Sequence, residues 1–169
     1  MPCACKVPAE KYPENAEWGP IMWRVLHSLA ERAGVQANVL LRDDERRVWE
    51  NLMTKVQDTI PCDICRDHYG RWLAAYPPSA LLTMPYEAIG PWIRRWFFAL
   101  HNEVNEGNDK PLFREEELSA MYKTMSITQS WRALEPVIKK AITLNGVPLL
   151  AWKRWVNCVR QLQGLYGVF

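Results

Sequence analysis

Two cysteines three positions apart are the first residues that could do chemistry, in the segment Pro61-Cys62-Asp63-Ile64-Cys65. The apolar spacing that follows predicts a loop entering a helix here, which puts the two sulfurs on adjacent turns, close enough to form a disulfide. Free amides and the dipole at a helix start stabilise a thiolate, the form that attacks disulfides and donates electrons. His68 follows Cys65 by three residues and could tune its charge. The motif predicts a redox-active cysteine pair.

Zinc binding is the alternative for the same cysteines. A structural zinc site needs four ligands, and His27, His101 and Cys158 would have to converge on the pair from distant positions. A thioredoxin-type site would need a βαβ context, which the sequence lacks. We therefore favour a redox pair and expect no metal. An all-helical scaffold with such a pair must pass its electrons on, which suggests a bound redox cofactor.

A second candidate segment covers residues 18–27 and reads Trp-Gly-Pro-Ile-Met-Trp-Arg-Val-Leu-His. Trp23 and His27 are four residues apart, so an indole and an imidazole lie on one helix face. A core tryptophan beside a hydrogen-bonded histidine explains this segment, taken alone, as well as a ligand site does.

A third segment reads His101-Asn102-Glu103-Val104-Asn105 and is followed by Lys110 and Phe113. An asparagine amide donates and accepts hydrogen bonds at the same time, as is needed to bind a purine edge or ribose hydroxyls. Lys110 could meet a phosphate as a point charge. A polar helix end explains each residue taken singly, but for the whole set we favour ligand binding.

The composition describes an ordinary globular chain. Of 169 residues, 49% are hydrophobic and 24% are charged, which excludes collagen-like and wholly disordered classes. No apolar run is long enough to span a membrane, the N-terminus lacks the apolar core of a secretory signal, and a net charge of +2 gives no case for nucleic acid. Nine tryptophans could form flat walls for a flat ligand, but the count alone favours a well-filled core.

The apolar residues recur at helical spacing throughout, and no strand pattern is visible. Helices are predicted to begin near residues 18, 43, 64, 89 and 115, with Gly34, Pro77-Pro78 and Pro111 among the breaks between them. Ser130 is predicted to cap a further helix that ends at Gly146, and Pro148 to lie in the first turn of the last one. The fold class is therefore all-α: a bundle of four or five helices with a helical C-terminal extension.

The chain divides into three predicted parts. Residues 1–17 form a flexible N-terminal arm carrying Cys3 and Cys5, residues 18–125 form the bundle, and residues 126–169 form the extension. The extension holds six basic residues against one acidic residue, a net +5, which leaves −3 for residues 1–125. Its wide apolar stripe must bury against the bundle or another subunit. We interpret it as a packing or dimerisation element whose basic charge is a solvated face.

Together these segments resemble the Erv/ALR family of FAD-linked sulfhydryl oxidases, most of all its viral members. The motifs that carry the resemblance are WGPxxWxxLH at 18–27, PCxxCxxH at 61–68 and HNxVNxxxxKPxF at 101–113, in the family's order and spacing. They cover roughly residues 18–125, about two thirds of the chain.

The resemblance implies a helical bundle that binds FAD, usually as a homodimer. By motif position, Cys65 is the cysteine next to the flavin and Cys62 faces incoming thiols. A substrate dithiol attacks the Cys62–Cys65 disulfide, and the electrons pass through FAD to O2, giving H2O2. The residues implied to line FAD are Trp18, Gly19, Trp23, His27, His68, His101, Asn102, Val104, Asn105, Lys110, Phe113 and Tyr122.

The cysteines outside the motif have their own expectations. Family members often carry a second, shuttle disulfide on a mobile tail, and Cys3 and Cys5 match it in kind; an incidental exposed pair is the alternative. The roughly 13 residues between Cys5 and Trp18 reach on the order of 20 Å, enough for Cys62 of the same or a neighbouring subunit. Arg114 stands where many relatives have a bridged cysteine. Cys158 is therefore expected to be unpaired and buried.

Three classes of function follow from these features. The first is an FAD-dependent thiol oxidase acting on dithiol protein substrates. The second is a helical redox- or zinc-sensing binding module that acts through Cys62 and Cys65, and the third is a helical assembly protein whose cysteines are incidental. With no leader and no membrane span, we expect the cytoplasm of an infected host cell, with the mitochondrial intermembrane space as the alternative.

Overall fold

The structure is a computed structural model that describes residues 10–169. Cys3 and Cys5 lie outside the described residues, so the shuttle stays a prediction. Seven α-helices and no strands make up the described part: α1 Asn15–Ala30, α2 Arg42–Val56, α3 Asp63–Ala75, α4 Tyr86–Glu106, α5 Glu115–Lys123, α6 Ile127–Thr143 and α7 Leu149–Tyr166. The predicted all-α class is confirmed. No helix within residues 10–169 has the length and apolar character that a membrane crossing requires.

Three helix starts differ from the prediction, and one of them is that of α4, which begins at Tyr86, three residues before the predicted start near residue 89. Helix α1 begins at Asn15, three residues before the predicted boundary at residue 18, because the backbone N–H of Glu14 donates to the Glu17 carboxylate and closes the first turn early. The prediction that Ser130 caps α6 is wrong: the cap is Ser126, whose hydroxyl accepts from the N–H of Gln129 at 3.2 Å. Ser130 lies inside the helix and donates to the Ser126 carbonyl at 2.8 Å.

Helices α1 and α4 cross where two glycines meet. Gly34 has a φ of 76°, and a side chain at either glycine would collide with backbone, since a Cβ on Gly34 would lie 2.7 Å from the Gly90 nitrogen. A Cβ on Gly90 would lie 2.3 Å from the Ala33 carbonyl oxygen. The absence of both side chains lets the end of α1 rest directly on the start of α4. This crossing brings the middle of α1 against the far end of α4.

The C-terminal extension packs onto the same chain. Helix α6 lies against α1, and α7 lies against α2. Fully buried Leu134, Ile138, Trp155 and Val159 join one continuous hydrophobic core with the first five helices. The apolar stripe is thus covered within the chain, while a role in dimerisation stays a prediction.

A buried carboxylate ties α7 to the bundle. Glu45 is fully buried and accepts hydrogen bonds from the hydroxyls of Tyr86 and Tyr166 and from the backbone N–H of Gly34. Trp49 in turn donates its indole N–H to the Tyr166 hydroxyl at 2.6 Å. A buried charge is tolerated when donors surround it, so this hub holds α1, α2, α4 and α7 in one arrangement.

Candidate functional site

Cys62 and Cys65 form a disulfide at the start of α3. Their Cα atoms are 5.2 Å apart, and Cys62 occupies the cap position, where its sulfur accepts the backbone N–H of Cys65 at 3.2 Å. Both cysteines are half-buried against the core. Between them Ile64 is 81% exposed. The pair is therefore set in the protein surface, where a partner's thiol can approach it.

Helix α1 supplies a polar contact to the disulfide that sequence reasoning missed. The side-chain Nδ2 of Asn15 lies 3.7 Å from the Sγ of Cys65, fifty residues away in sequence. Asn15 precedes the Trp-Gly-Pro motif, and nothing in its spacing signals a contact with α3.

The helix that carries the cysteines is also joined to the extension. Arg66 donates to the carbonyl of Gly146 at 3.1 Å and pairs with the Asp63 carboxylate. The ring of Tyr12 covers Gly146 so closely that a Cβ there would lie 1.9 Å from the tyrosine oxygen. The segment that leads into α1 therefore crosses the α6–α7 turn beside α3.

His68 links α3 to α4. Its Nε2 lies 2.9 Å from a carboxylate oxygen of Glu103, and both side chains are partly exposed. This contact connects the helix of the cysteines to the third predicted segment.

Five aromatic and imidazole rings from the second and third segments and from α5 meet in one cluster. The indole of Trp23 stacks on His101 with ring centroids 4.1 Å apart and planes within 8°. His27 stacks on Tyr122 at 4.7 Å, and Phe113 tilts against His101 at 5.0 Å. Nitrogen Nε2 of His27 lies 3.0 Å from Nδ1 of His101, a hydrogen bond between two buried rings. We call these five residues the ring cluster.

Both imidazoles in the ring cluster are held neutral. Burial, followed by the proximity of His101, places the pKa of His27 well below its usual range. Burial, followed by the positive charge of Lys110, lowers the pKa of His101 to about 4. At neutral pH the cluster therefore offers uncharged, flat surfaces and one hydrogen bond between two neutral rings.

The two predicted asparagines fasten a loop rather than leaving their amides free. Asn102 donates to the Phe113 carbonyl and accepts from the Phe113 N–H, each at 2.9 Å. Asn105, which is buried, donates to the Pro111 carbonyl at 3.2 Å. The segment after α4 is thereby held against the helix. Val104 is half-buried and Lys110 is exposed at this end of α4.

Open space and an unpaired donor lie on α1 between the disulfide and the ring cluster. A Cβ on Gly19 would meet no atom within 4 Å. The indole Nε1 of Trp18 is buried and has no hydrogen-bond partner. Asn15, Gly19, Trp23 and His27 follow one another every four residues, so they mark one side of α1 over about 18 Å.

Neither the remaining described cysteine nor a cluster of potential metal ligands extends the candidate site. Cys158 is buried and pairs with no cysteine among residues 10–169, and burial raises the pKa of its thiol. Within that same part of the chain, no three histidine, cysteine or acidic side chains converge as a metal site would need.

Comparisons with known proteins agree on one family. The family model described as Erv1 / Alr matches residues 20–125. A putative FAD-linked sulfhydryl oxidase 088R of Frog virus 3 (isolate Goorha) is 30% identical over 94 residues, which cover 56% of this chain and 58% of the viral protein. The FAD-linked sulfhydryl oxidase of African swine fever virus (isolate Pig/Kenya/KEN-50/1950) is 25% identical over 112 residues, covering 63% and 80%.

The same identity and coverage are found for the African swine fever virus isolate Tick/Malawi/Lil 20-1/1983. The chain thus spans less than two thirds of the Frog virus 3 protein and four fifths of the two swine fever virus proteins. No solved structure matches the chain.

Proposed function

The chain belongs to the Erv1 / Alr family, and from this premise we propose that it is an FAD-dependent thiol oxidase. It makes disulfides in dithiol protein substrates and passes the electrons to O2, giving H2O2. The observation that carries the proposal is the half-buried disulfide Cys62–Cys65 at a helix start, on the same bundle as the ring cluster. The zinc-sensing alternative has no observation in its favour.

The residues along α1 and α4 fit FAD. A flat, largely apolar ring system suits the neutral faces of Trp23 and His101, and the empty space beside Gly19 would accept a bulky group. The buried, unpaired indole N–H of Trp18 is a donor that still needs an acceptor. Lys110 is exposed and positively charged, as a phosphate ligand would be.

We assign FAD to residues of the three motifs and to Tyr122 of α5. Asn102 and Asn105 contribute by fastening the loop that holds Phe113 against His101. Bound FAD would supply the two-electron acceptor that returns the cysteine pair to the disulfide and reduces O2. The residues that would hold it are Trp18, Gly19, Trp23, His27, His68, His101, Asn102, Val104, Asn105, Lys110, Phe113 and Tyr122.

The cysteine chemistry proceeds by thiol–disulfide exchange. A substrate thiolate attacks the Sγ of Cys62, the Cys62–Cys65 bond breaks, and Cys65 leaves as a thiolate. The second substrate thiolate attacks its own partner sulfur in the mixed disulfide, which releases oxidised substrate and the Cys62 thiol. The exposed Ile64 beside Cys62 gives an incoming protein an apolar contact at the point of attack.

Cys3 and Cys5 are proposed as the shuttle that relays electrons from protein substrates. Asn15 lies at Cys65 and Tyr12 at the adjoining turn, so the chain from Tyr12 back to Cys5 starts beside the disulfide and reaches at most about 25 Å. The double variant Cys3→Ser/Cys5→Ser should lose turnover with a protein substrate and keep it with dithiothreitol. Equal loss with both substrates, or no loss, would argue against the shuttle.

The family resemblance also supports a homodimer, and the viral relatives favour the cytoplasm of an infected host cell over the mitochondrial intermembrane space. Sedimentation equilibrium of the purified chain tests whether it is a homodimer. A monomer at micromolar concentration with FAD bound would contradict it.

Stoichiometry tests the proposed reaction. Purified protein loaded with FAD and given excess dithiothreitol should consume one O2 and form one H2O2 for every two thiols lost. Cys62→Ser and Cys65→Ser should each abolish thiol loss, whereas Cys158→Ser, at a buried cysteine apart from the pair, should leave it unchanged. Thiol loss that persists in the Cys65→Ser variant would overturn the assignment.

A further inference from the structure

We propose that Asn15 is a further catalytic residue, whose side-chain amide stabilises the thiolate of Cys65 when the disulfide opens. The inference rests on the proposed function, since it deepens the role of Cys65 as the sulfur that leaves. Asn15 lies outside residues 20–125, the part matched by the family model. Its role is therefore inferred from the geometry of this chain.

The contact joins two helices. The Nδ2 of Asn15, the first residue of α1, lies 3.7 Å from the Sγ of Cys65, the third residue of α3. The helix start that carries Asn15 is fixed, because Glu14 and Glu17 close its first turn and Trp18 is buried in the next. The backbone of Asn15 is thus fixed by the helix start, while its exposed side chain reaches the half-buried sulfur of Cys65.

The two sulfurs of the pair have different donors. Cys62 accepts the backbone N–H of Cys65 at 3.2 Å, a bond within α3. Cys65 accepts a hydrogen bond from the side-chain amide of Asn15 on α1, and α3 itself supplies no replacement for this donor. A substitution at Asn15 therefore acts on one sulfur and leaves the other donor in place.

Four charged contacts on the flanking segments occupy groups near the disulfide, while Asp67 and Arg71 of α3 and Glu10 before α1 make no ion pair within residues 10–169. On α3, Asp63 binds Arg66 and His68 binds Glu103 of α4. Before α1, Lys11 binds Glu14, and the Glu17 carboxylate accepts the Glu14 N–H within the first turn. None of these charged groups donates to the Cys65 sulfur, so the uncharged N–H of Asn15 is the side-chain donor that the described residues supply to it.

The donor acts at the moment of exchange. When a substrate thiolate forms a bond to Cys62, the electron pair of the broken Sγ–Sγ bond goes to Cys65, and no proton is needed for that step. The Asn15 N–H then donates to a full negative charge, and such hydrogen bonds are stronger than those to a neutral acceptor. A thiol of lower pKa leaves faster, so Asn15 favours Cys65 over Cys62 as the leaving sulfur.

The test uses Asn15→Asp, which keeps the shape and replaces the donor with a negative charge. An acidic residue in the first turn of a helix is favoured by the dipole, so the thermal midpoint should not fall. In the Cys62→Ser background without flavin, the rate of Cys65 alkylation by iodoacetamide is followed against pH. Tryptic peptide 56–66 then contains Cys65 as its only cysteine, which allows readout by mass spectrometry.

The alkylation rate below the thiol pKa should fall about tenfold in Asn15→Asp and about threefold in Asn15→Ala, since one pKa unit is a tenfold change in thiolate. The control is Asn157→Asp, the same change at an exposed position of α7, which should follow the parent profile. With Cys62 present, the equilibrium with dithiothreitol should shift toward the disulfide by a comparable factor, about 30 mV for tenfold.

A profile for Asn15→Ala that coincides with the parent profile would overturn the role of Asn15, since a fall in Asn15→Asp alone would report only the added negative charge. That result leaves the proposed function standing if the enzyme still oxidises thiols through Cys62 and Cys65. A parent protein whose disulfide dithiothreitol reduces, but which oxidises no thiols when loaded with FAD, would instead remove the proposed function.

Discussion

The Nε2 of His27 lies 3.0 Å from the Nδ1 of His101, a hydrogen bond between two buried imidazoles that are 74 residues apart. The contact locks the last turn of α1 to the end of α4 and aligns His101 under the Trp23 ring. Two histidines can share such a bond only if at least one ring is neutral, because a proton on both would leave two donors facing each other.

The stability of the fold should therefore fall in mild acid. The unfolded chain takes up protons near pH 6.5, whereas folded His101 has a pKa of about 4, so the unfolded state binds more protons between these values. Unfolding free energy should drop as pH falls from 7 to 4.5, and His101→Phe should reduce that drop by about 2 kcal/mol. Urea titrations of parent and variant at both pH values measure this drop in unfolding free energy. An equal drop in variant and parent would contradict the neutral pair.

Gly19 offers a test of where the cofactor lies. A Cβ on Gly19 would lie in open space and meet no atom beyond its chain neighbours. Pro20 follows, however, and disfavours a helical residue with a Cβ before it, so Gly19→Ala should change the stability of the flavin-free protein by less than about 1 kcal/mol. If FAD occupies that space, the same methyl should weaken FAD binding about tenfold, which is about 1.4 kcal/mol.

Gly164 is the matched control, because it also lies within a helix and faces open space. Gly164→Ala should stabilise the protein and leave FAD affinity unchanged. FAD binding that is equal in the two variants would place the cofactor away from Gly19.

The paired hydrogen bonds of Asn102 should govern the loop after α4. Asn102→Ala removes both bonds to the Phe113 backbone and should cost about 1–2 kcal/mol of unfolding free energy. The Phe113 amide should then exchange with deuterium faster than in the parent. Asn108→Ala, at an exposed asparagine of the same region, should leave that amide protected. Unchanged Phe113 exchange in Asn102→Ala would show that the loop is held by other contacts.

Much of this architecture is predictable from the sequence, because periodic apolar residues and breakers act locally. Pro77-Pro78 follows α3, as predicted, whereas α1 ends at Ala30, four residues before the predicted stop at Gly34. The spacing of Cys62 and Cys65 likewise predicts that their sulfurs lie close enough to bridge, and the structure joins them in a disulfide.

Contacts between helices could not be predicted from the sequence, because they depend on how the helices cross. The backbone approach of Gly34 and Gly90 sets the crossing of α1 and α4, and neither glycine signals its partner in the sequence. For the same reason the sequence does not signal that the amide of Asn102 binds the backbone of Phe113, and the role of Asn102 toward a ligand stays a prediction. Asn15 was missed because its only signal is its position opposite Cys65.

Tyr12 and Gly146 should show strong energetic coupling. A Cβ at position 146 would overlap the Tyr12 ring, so Gly146→Ala should displace Tyr12 and cost about 1–3 kcal/mol. In a Tyr12→Ala background the same change should cost little. A double-mutant cycle of unfolding free energies, with trypsin cleavage after the exposed Lys11 as a local probe, measures the coupling. Additive effects would contradict the observed contact.

The flavin spectrum tests the central claim most directly. The purified protein, saturated with FAD and held without oxygen, should bleach when dithiothreitol is added and recover its absorbance on exposure to air. Cys65→Ser should bind FAD and stay yellow under the same treatment. A protein that binds no flavin, or a Cys65→Ser variant that bleaches as fast as the parent, would contradict electron transfer from this disulfide to FAD.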